Sequence, residues 1–152
     1  MNESILVVDD DAEVRETLST VLLDEGYLVE TVKSGKEAIR ASETAYFDVA
    51  LIDMELPDMK GIEILHRLKE KHPRMVQIII TGFPSLENAV KAVNEGAHGY
   101  VLKPFDVGEL LKMIRKRLDE KATEYLNIRT EMEKNSVFSE QFKKQKGSIF
   151  TR

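Results

Sequence analysis

A small set of residues, far apart in the chain, carries groups that can work together chemically. Asp9, Asp10 and Asp11 follow the apolar run "ILVV"; Asp53 closes "VALID" and opens "MELPDMKG"; Thr81 lies in "IIITG" and Lys103 in "GYVLKPF". Three neighbouring carboxylates repel one another, so their clustering asks for a compensating charge. An oxygen-rich acidic pocket suits a hard cation, and Mg²⁺ takes a few carboxylates while keeping several waters. A carboxylate such as Asp53 can also attack a phosphoryl group as a nucleophile, giving an aspartyl phosphate. Because the incoming group is negative, that chemistry needs a divalent cation and a fixed positive side chain, and Lys103 supplies the latter. Simpler readings exist for the parts taken singly. Asp11 fits the N-cap of a following helix, which is the reading preferred for that residue. The "LKPF" stretch by itself reads as a turn that ends a strand, and Pro104 fixes the direction of that loop, with a cis peptide as one way to do so.

These groups act together only if the fold brings them to one place. Short apolar runs at 5–8, 27–32, 49–52, 76–80 and 99–102 read as strands. Four are nearly continuous in apolar residues, as in a parallel sheet covered on both faces. The run at 27–32 carries a charge and a Thr and belongs at an edge. Helical patterns lie between them. Val14, Leu18, Val21 and Leu22 make one stripe, and Ser34 with Glu37 forms a capping box for the next helix. Ile62, Leu65 and Leu68 mark a third, bounded by Pro73. Leu86, Ala89, Val90 and Val93 mark a fourth, capped by Ser85 and ended by "EG". Asp106 and Glu109 precede Leu110, Leu111, Ile114 and Leu118 in a fifth. Strands alternating with helices over short connections predict an α/β fold with a doubly wound, five-stranded parallel sheet. In such sheets ligands bind beyond the carboxyl ends of the strands, near the point where strand order reverses. Asp9–Asp11, Asp53, Thr81 and Lys103 all follow strand ends, so the topology predicts that they converge.

Composition narrows the function classes. The chain has 152 residues and a net charge of −5, enough for one complete core and a weak argument against nonspecific nucleic-acid binding. It has no Cys, which excludes disulfides, thiolate metal sites and a cysteine nucleophile. No signal-peptide pattern and no apolar run long enough to cross a bilayer is read, so a cytoplasmic protein without membrane contact is expected. His66, His72 and His98 show no metal-ligand spacing and read as structural or surface residues.

Taken jointly, "VVDDD", "LIDMELPDMKG", "IIITG" and "GYVLKPF" resemble the receiver domain of two-component response regulators, over roughly Ser4 to Leu118. The resemblance implies a flavodoxin-like strand order of 2-1-3-4-5. It implies Asp53 as phospho-acceptor from a sensor histidine kinase or phosphotransfer protein, with Mg²⁺ as cofactor. Asp10 and Asp53 would ligate the ion directly, Asp9 through ordered water, and Glu55 through its backbone carbonyl. Thr81 and Lys103 would contact the phosphoryl group, and Tyr100 matches the family's aromatic switch position. Phosphorylation would reshape the surface of helix 4, strand 5 and helix 5 for a downstream effector protein. Gly82, after Thr81, leaves the site open to water and donors, and Glu55 is expected to influence the rate of phosphoryl loss.

Two other readings compete with this one. A haloacid-dehalogenase-like, Mg²⁺-dependent phosphohydrolase needs DxDx[TV] after its first strand, and Asp9–Glu13 fails at the last position. A receiver fold kept as a scaffold should have lost the acceptor, the metal acids or the lysine, and none is lost. The domain expected is residues 1–118, followed by an extension over 119–152 that is helical to about 134 and then flexible. Leu111, Ile114, Leu118, Tyr125, Ile128 and Met132 keep a 3-4 spacing broken at Lys121, which fits a short coiled-coil seam and a homodimer, a stripe that folds back, or simply a protruding helix. The end, with Lys143, Lys144, Lys146 and Arg152, reads as a solvated tail, and no direct DNA binding is expected of this chain.

Overall fold

A computed structural model of the 152-residue chain describes residues 2–134. The expected flexible tail lies outside the described residues. The order of elements is β1 (Ser4–Val8), α1 (Ala12–Asp24), β2 (Leu28–Val32), α2 (Gly35–Thr44), β3 (Val49–Asp53), α3 (Gly61–Lys71), β4 (Val76–Thr81), α4 (Leu86–Asn94), β5 (Gly99–Leu102) and α5 (Val107–Lys134). All strand pairings are parallel, in the order β2-β1-β3-β4-β5. The chain thus steps from β1 out to β2 and then crosses back to β3 on the other side of β1, and this reversal opens a crevice beyond the carboxyl ends of β1 and β3. Residues up to Arg117 form one compact unit and those from Leu118 a second.

Within the first unit the central strands are the core. Every residue of β3 and β4 is buried, as are Ile5–Val8 of β1. They are covered by Leu18 and Leu22 from α1, Ile64, Leu65 and Leu68 from α3, and Leu110 and Ile114 from α5. In α3 Ile64 is buried beside Leu65 and Leu68, while Ile62 is half-buried and packs against the same cluster. β2 is one edge, as its charge and Thr suggest, and β5 is the other, with Leu102 48% exposed.

The apolar stripe that marks α4 lies largely on the solvent side. Leu86 is 83% exposed, Val93 61% and Val90 50%, while Ala92 is the buried residue. Periodicity identifies an apolar face but not what it meets, and this nine-residue helix turns its small side chain inward and its large ones to solvent.

Local chemistry sets the helix starts. Asp11 accepts from Glu13 N at 2.9 Å and Val14 N at 3.5 Å at the head of α1, and Ser85 accepts from Asn88 N at 3.2 Å at α4. Asp106 accepts from Glu109 N at 2.9 Å before α5. At α2, Ser34 accepts from Glu37 N, but the Glu37 carboxylate reaches back to Lys33 N, one residue earlier than in the usual reciprocal box. Gly96 ends α4 with φ +97°, a left-handed conformation that glycine adopts without a Cβ clash.

Candidate functional site

The four central groups stand at or one residue past a strand end, as parallel topology requires. Asp53 is the last residue of β3 and Thr81 of β4; Asp9 follows β1 and Lys103 follows β5. Carboxylate oxygens of Asp9, Asp10 and Asp53 all lie within 4.8 Å of one another. Asp9 and Asp53 are buried and Asp10 is exposed, so the cluster sits at a mouth with one acid facing water. Lys103 bridges the two buried acids: its Nζ donates to Asp9 Oδ2 at 2.8 Å and to Asp53 Oδ2 at 3.4 Å.

The electrostatics follow from this geometry. Burial, and then the negative charge of Asp9, push the Asp53 carboxyl up from 3.8 to about 6, against the opposing pull of Lys103. Burial draws the Lys103 ammonium down, but its bond to Asp9 and the charges of Asp9 and Asp53 outweigh it and hold it above the usual lysine value. Three carboxylates and one ammonium leave the cluster short of positive charge. A hard divalent cation fits that donor set.

The surrounding loops are braced. Asp9 Oδ1 accepts from Asp11 N at 2.9 Å, and Arg15 Nη1 donates to Asp9 O at 2.7 Å. Asp11 therefore caps α1 while Asp9 is held by that cap's own backbone. Glu55 N donates to Asp53 Oδ1 at 3.3 Å. The Glu55 carboxylate is paired with Lys60 Nζ at 2.6 Å across an isolated antiparallel bridge, which folds the β3–α3 loop back on itself. Gly61 is required there: a Cβ would stand 2.5 Å from Asp53 O and 2.9 Å from Met54 Cα, backbone that cannot yield. Asp58 accepts from Gly35 N and Lys36 N, each at 2.9 Å. Together with Ser34 it satisfies the first three N–H groups of α2, and those bonds hold its carboxyl below the usual range. Its membership of a turn-rich stretch was readable, but its partners 22 and 23 residues away were not. Arg15 and Lys60 were likewise missed, since nothing local marks them.

Thr81 is fully buried, and its Oγ1 accepts from Phe83 N at 3.1 Å, which leaves its O–H to donate. A Cβ at Gly82 would meet nothing nearer than Lys103 Cβ at 4.0 Å, so the space there accepts a Cβ. The Lys103–Pro104 peptide is cis. Tyr100 packs against the core, with its hydroxyl buried and without a hydrogen-bond partner among the described residues. The histidines stand apart from the acids: His66 contacts Glu70 at 3.1 Å and Glu95 at 3.4 Å, His72 Nε2 meets Ser42 O at 2.9 Å, and His98 Nδ1 accepts from Gln77 N at 3.0 Å.

A doubly wound sheet with an acidic, lysine-bridged pocket at its switch point defines a class of α/β domains. Within that class the chain belongs to the response regulator receiver domain family of two-component systems, whose sequence profile matches residues 5–115. The chain is 35% identical over 115 residues to the DNA-binding transcriptional regulator NtrC of Proteus hauseri, spanning 76% of this chain and 24% of that one. It is also 35% identical over 114 residues to the regulatory protein AtoC of Escherichia coli K12, spanning 75% and 25%. It thus spans about a quarter of the length of these curated relatives. Among solved structures, a CheY-like receiver domain protein from Methanospirillum hungatei JF-1 superposes with a TM-score of 0.79 at 39% identity, covering 82% of this chain and 99% of that one. The beryllofluoride-activated NtrC4 receiver domain dimer gives 0.74 at 36% identity, covering 78% and 98%. Among the described residues, no helix is long and apolar enough to cross a membrane.

Proposed function

We propose that this chain is a phosphorylation-controlled switch in which Asp53 accepts a phosphoryl group from a phosphohistidine of a sensor kinase or phosphotransfer protein. The observation that carries the proposal is the placement of Asp53, buried beside Asp9 and Asp10 and 3.4 Å from the Lys103 ammonium. With its carboxyl raised only to about 6, Asp53 is mostly ionised at neutral pH, and more basic than an ordinary aspartate. An Asp53 oxygen attacks phosphorus, the P–N bond to the imidazole breaks, and the electron pair stays on the departing nitrogen. Lys103 and the Thr81 O–H stabilise the phosphoryl oxygens as charge develops. Mg²⁺ held by Asp10 and Asp53, with Asp9 through water and the Glu55 carbonyl, would supply the positive charge that offsets repulsion between the acids and the phosphoryl group. Loss of the group is hydrolysis: water attacks phosphorus and the Asp53 carboxylate leaves.

Two surfaces suit the partners this requires. A concavity of about 730 Å³ between α1 and the start of α5, lined by Val14, Thr17, Lys103, Pro104 and Phe105, adjoins the mouth and would seat the donor protein. Phe83, Leu86, Val90, Val93 and Leu102 form the exposed apolar side of α4 and β5, the surface that would meet an effector after Thr81 and Tyr100 respond. Residues 1–118 would form the receiver and 119–152 an extension, in the cytoplasm with the kinase's catalytic domains.

The test is intact mass after incubation with Mg²⁺ and acetyl phosphate. One added phosphoryl group on wild type, absent from Asp53→Ala and absent without Mg²⁺, is expected. Wild type that takes no group and binds no beryllofluoride overturns the proposal and favours a scaffold. Continuous release of phosphate from added phosphomonoesters would favour the phosphohydrolase reading instead.

A further inference from the structure

We infer that Arg15 is a positioning residue for the acid cluster: through the Asp9 carbonyl it fixes the backbone that presents Asp10 to a metal ion. The inference rests on the reading of Asp9, Asp10 and Asp53 as a Mg²⁺ site. Arg15 lies in the opening turn of α1 and is half-buried. A cation there stands at the positive end of the helix dipole, where it costs helix stability rather than adding to it. Its Nη1 donates to Asp9 O at 2.7 Å, a short, charge-assisted bond.

Asp10 needs such support. It is exposed, and its carboxylate has no hydrogen-bond partner among the described residues. Asp9, by contrast, engages every polar group it has. Its N–H donates to Val32 O at 3.1 Å, Oδ1 accepts from Asp11 N at 2.9 Å and Oδ2 from Lys103 Nζ at 2.8 Å, while its carbonyl takes Arg15. Two of these bonds bracket Asp10. The Asp9 carbonyl belongs to the rigid peptide plane that enters Asp10, and Asp11 N to the plane that leaves it. With both planes held, the backbone of Asp10 is set and only its side-chain rotamer is left to a ligand. The leaving plane is held by a carboxylate of the cluster, the entering plane by Arg15. Because Arg15 bonds a main-chain carbonyl, its hold does not compete with the carboxylates for the ion.

The charge of Arg15 makes the sign of the effect decisive. Electrostatics alone predicts that removing a nearby cation tightens the binding of another cation. Loss of a positioning bond weakens it, because the ion must then order Asp10 as it binds. Arg15→Met keeps most of the packed stem and removes the charge and the donors. Arg15→Lys keeps the charge and a donor on a stem of similar length.

The test is a Mg²⁺ titration of the full chain followed by nitrogen–proton correlation NMR, with Asp10→Asn as the reference for a lost ligand. Arg15→Met should raise the Mg²⁺ dissociation constant on the order of tenfold, and Arg15→Lys should recover most of that loss. Saturating Mg²⁺ should bring the initial rate of phosphorylation by acetyl phosphate in Arg15→Met to within about twofold of wild type, because a residue acting through the ion's seat changes half-saturation and not the maximal rate. An unchanged or tighter dissociation constant in Arg15→Met overturns the inference, even if urea denaturation shows that variant destabilised, since the bond is then merely structural. A rate that saturating Mg²⁺ does not restore overturns it too, as does a lysine variant as weak as the methionine one. Wild type that binds Mg²⁺ no more tightly than Asp10→Asn refutes the metal-site reading itself and takes the inference with it.

Discussion

Replacing Asp53 by Asn should stabilise the metal-free protein near neutral pH. Asn keeps the shape of the side chain and an oxygen for Glu55 N, but removes one of two neighbouring buried charges. Burial and Asp9 raise the Asp53 carboxyl from 3.8 to about 6. At 1.36 kcal/mol per pKa unit, ionised Asp53 costs the folded state up to about 3 kcal/mol relative to the unfolded chain. The sign is fixed by proton counting. Between about pH 4 and about pH 6 the folded protein binds more protons than the unfolded one, so wild-type stability falls as pH rises through that window. Above it the cost is complete. The variant should therefore exceed wild type by up to about 3 kcal/mol at about pH 7.5, on the order of 5–10 °C in Tm, and by little at about pH 4. Added Mg²⁺ should narrow the gap, because it binds the folded wild type more tightly than the variant. Urea denaturation followed by far-UV circular dichroism measures this in a chain without Trp. Equal stability of the two proteins in EDTA at neutral pH, or the same gap at about pH 4 as at about pH 7.5, would refute the charge-repulsion argument.

Further outcomes follow from the same geometry. Tyr100→Phe removes a buried hydroxyl without a described partner and should leave stability unchanged or raise it by about 1 kcal/mol, read as an unchanged or higher denaturation midpoint. Gly61→Ala should cost roughly 2–4 kcal/mol, since the added Cβ meets Asp53 O and Met54 Cα, and Mg²⁺ binding measured by calorimetry should weaken with it. Asp58→Ala should cost about 1 kcal/mol by exposing the α2 N-terminus, with the deficit fading as pH falls below the ordinary carboxylate value. Glu55→Ala should change the half-life of the phosphorylated protein; an unchanged half-life by phosphate release would remove that role, while Lys60→Ala separates loss of the ion pair from loss of the carboxylate.

The fold was largely legible because its signals are local. β1, β3 and β4 announce themselves as nearly continuous apolar runs, and Asp11, Ser34, Ser85 and Asp106 bond to groups two or three residues away. The α4 helix is legible in its apolar stripe, but the exposure of that stripe is not, because a hydrophobic period reports that a face exists and not which neighbour it meets. Ile64 is buried more deeply than Ile62 in α3 for a similar reason: several residues fit one stripe, and the phase of the helix on the sheet ranks them. Asp58 escaped notice because its role is set by a helix that begins 23 residues earlier.

By itself the sequence determined which residue types stand at the strand ends, since alternating apolar runs and caps act through near neighbours. Tertiary structure alone decided how those groups meet. Lys103 reaches Asp9 across 94 residues of chain, and the basicity of Asp53 depends on burial and on a charge brought from another strand. Electrostatic interactions vary with distance and solvent access, and only the packing of distant segments sets those two quantities.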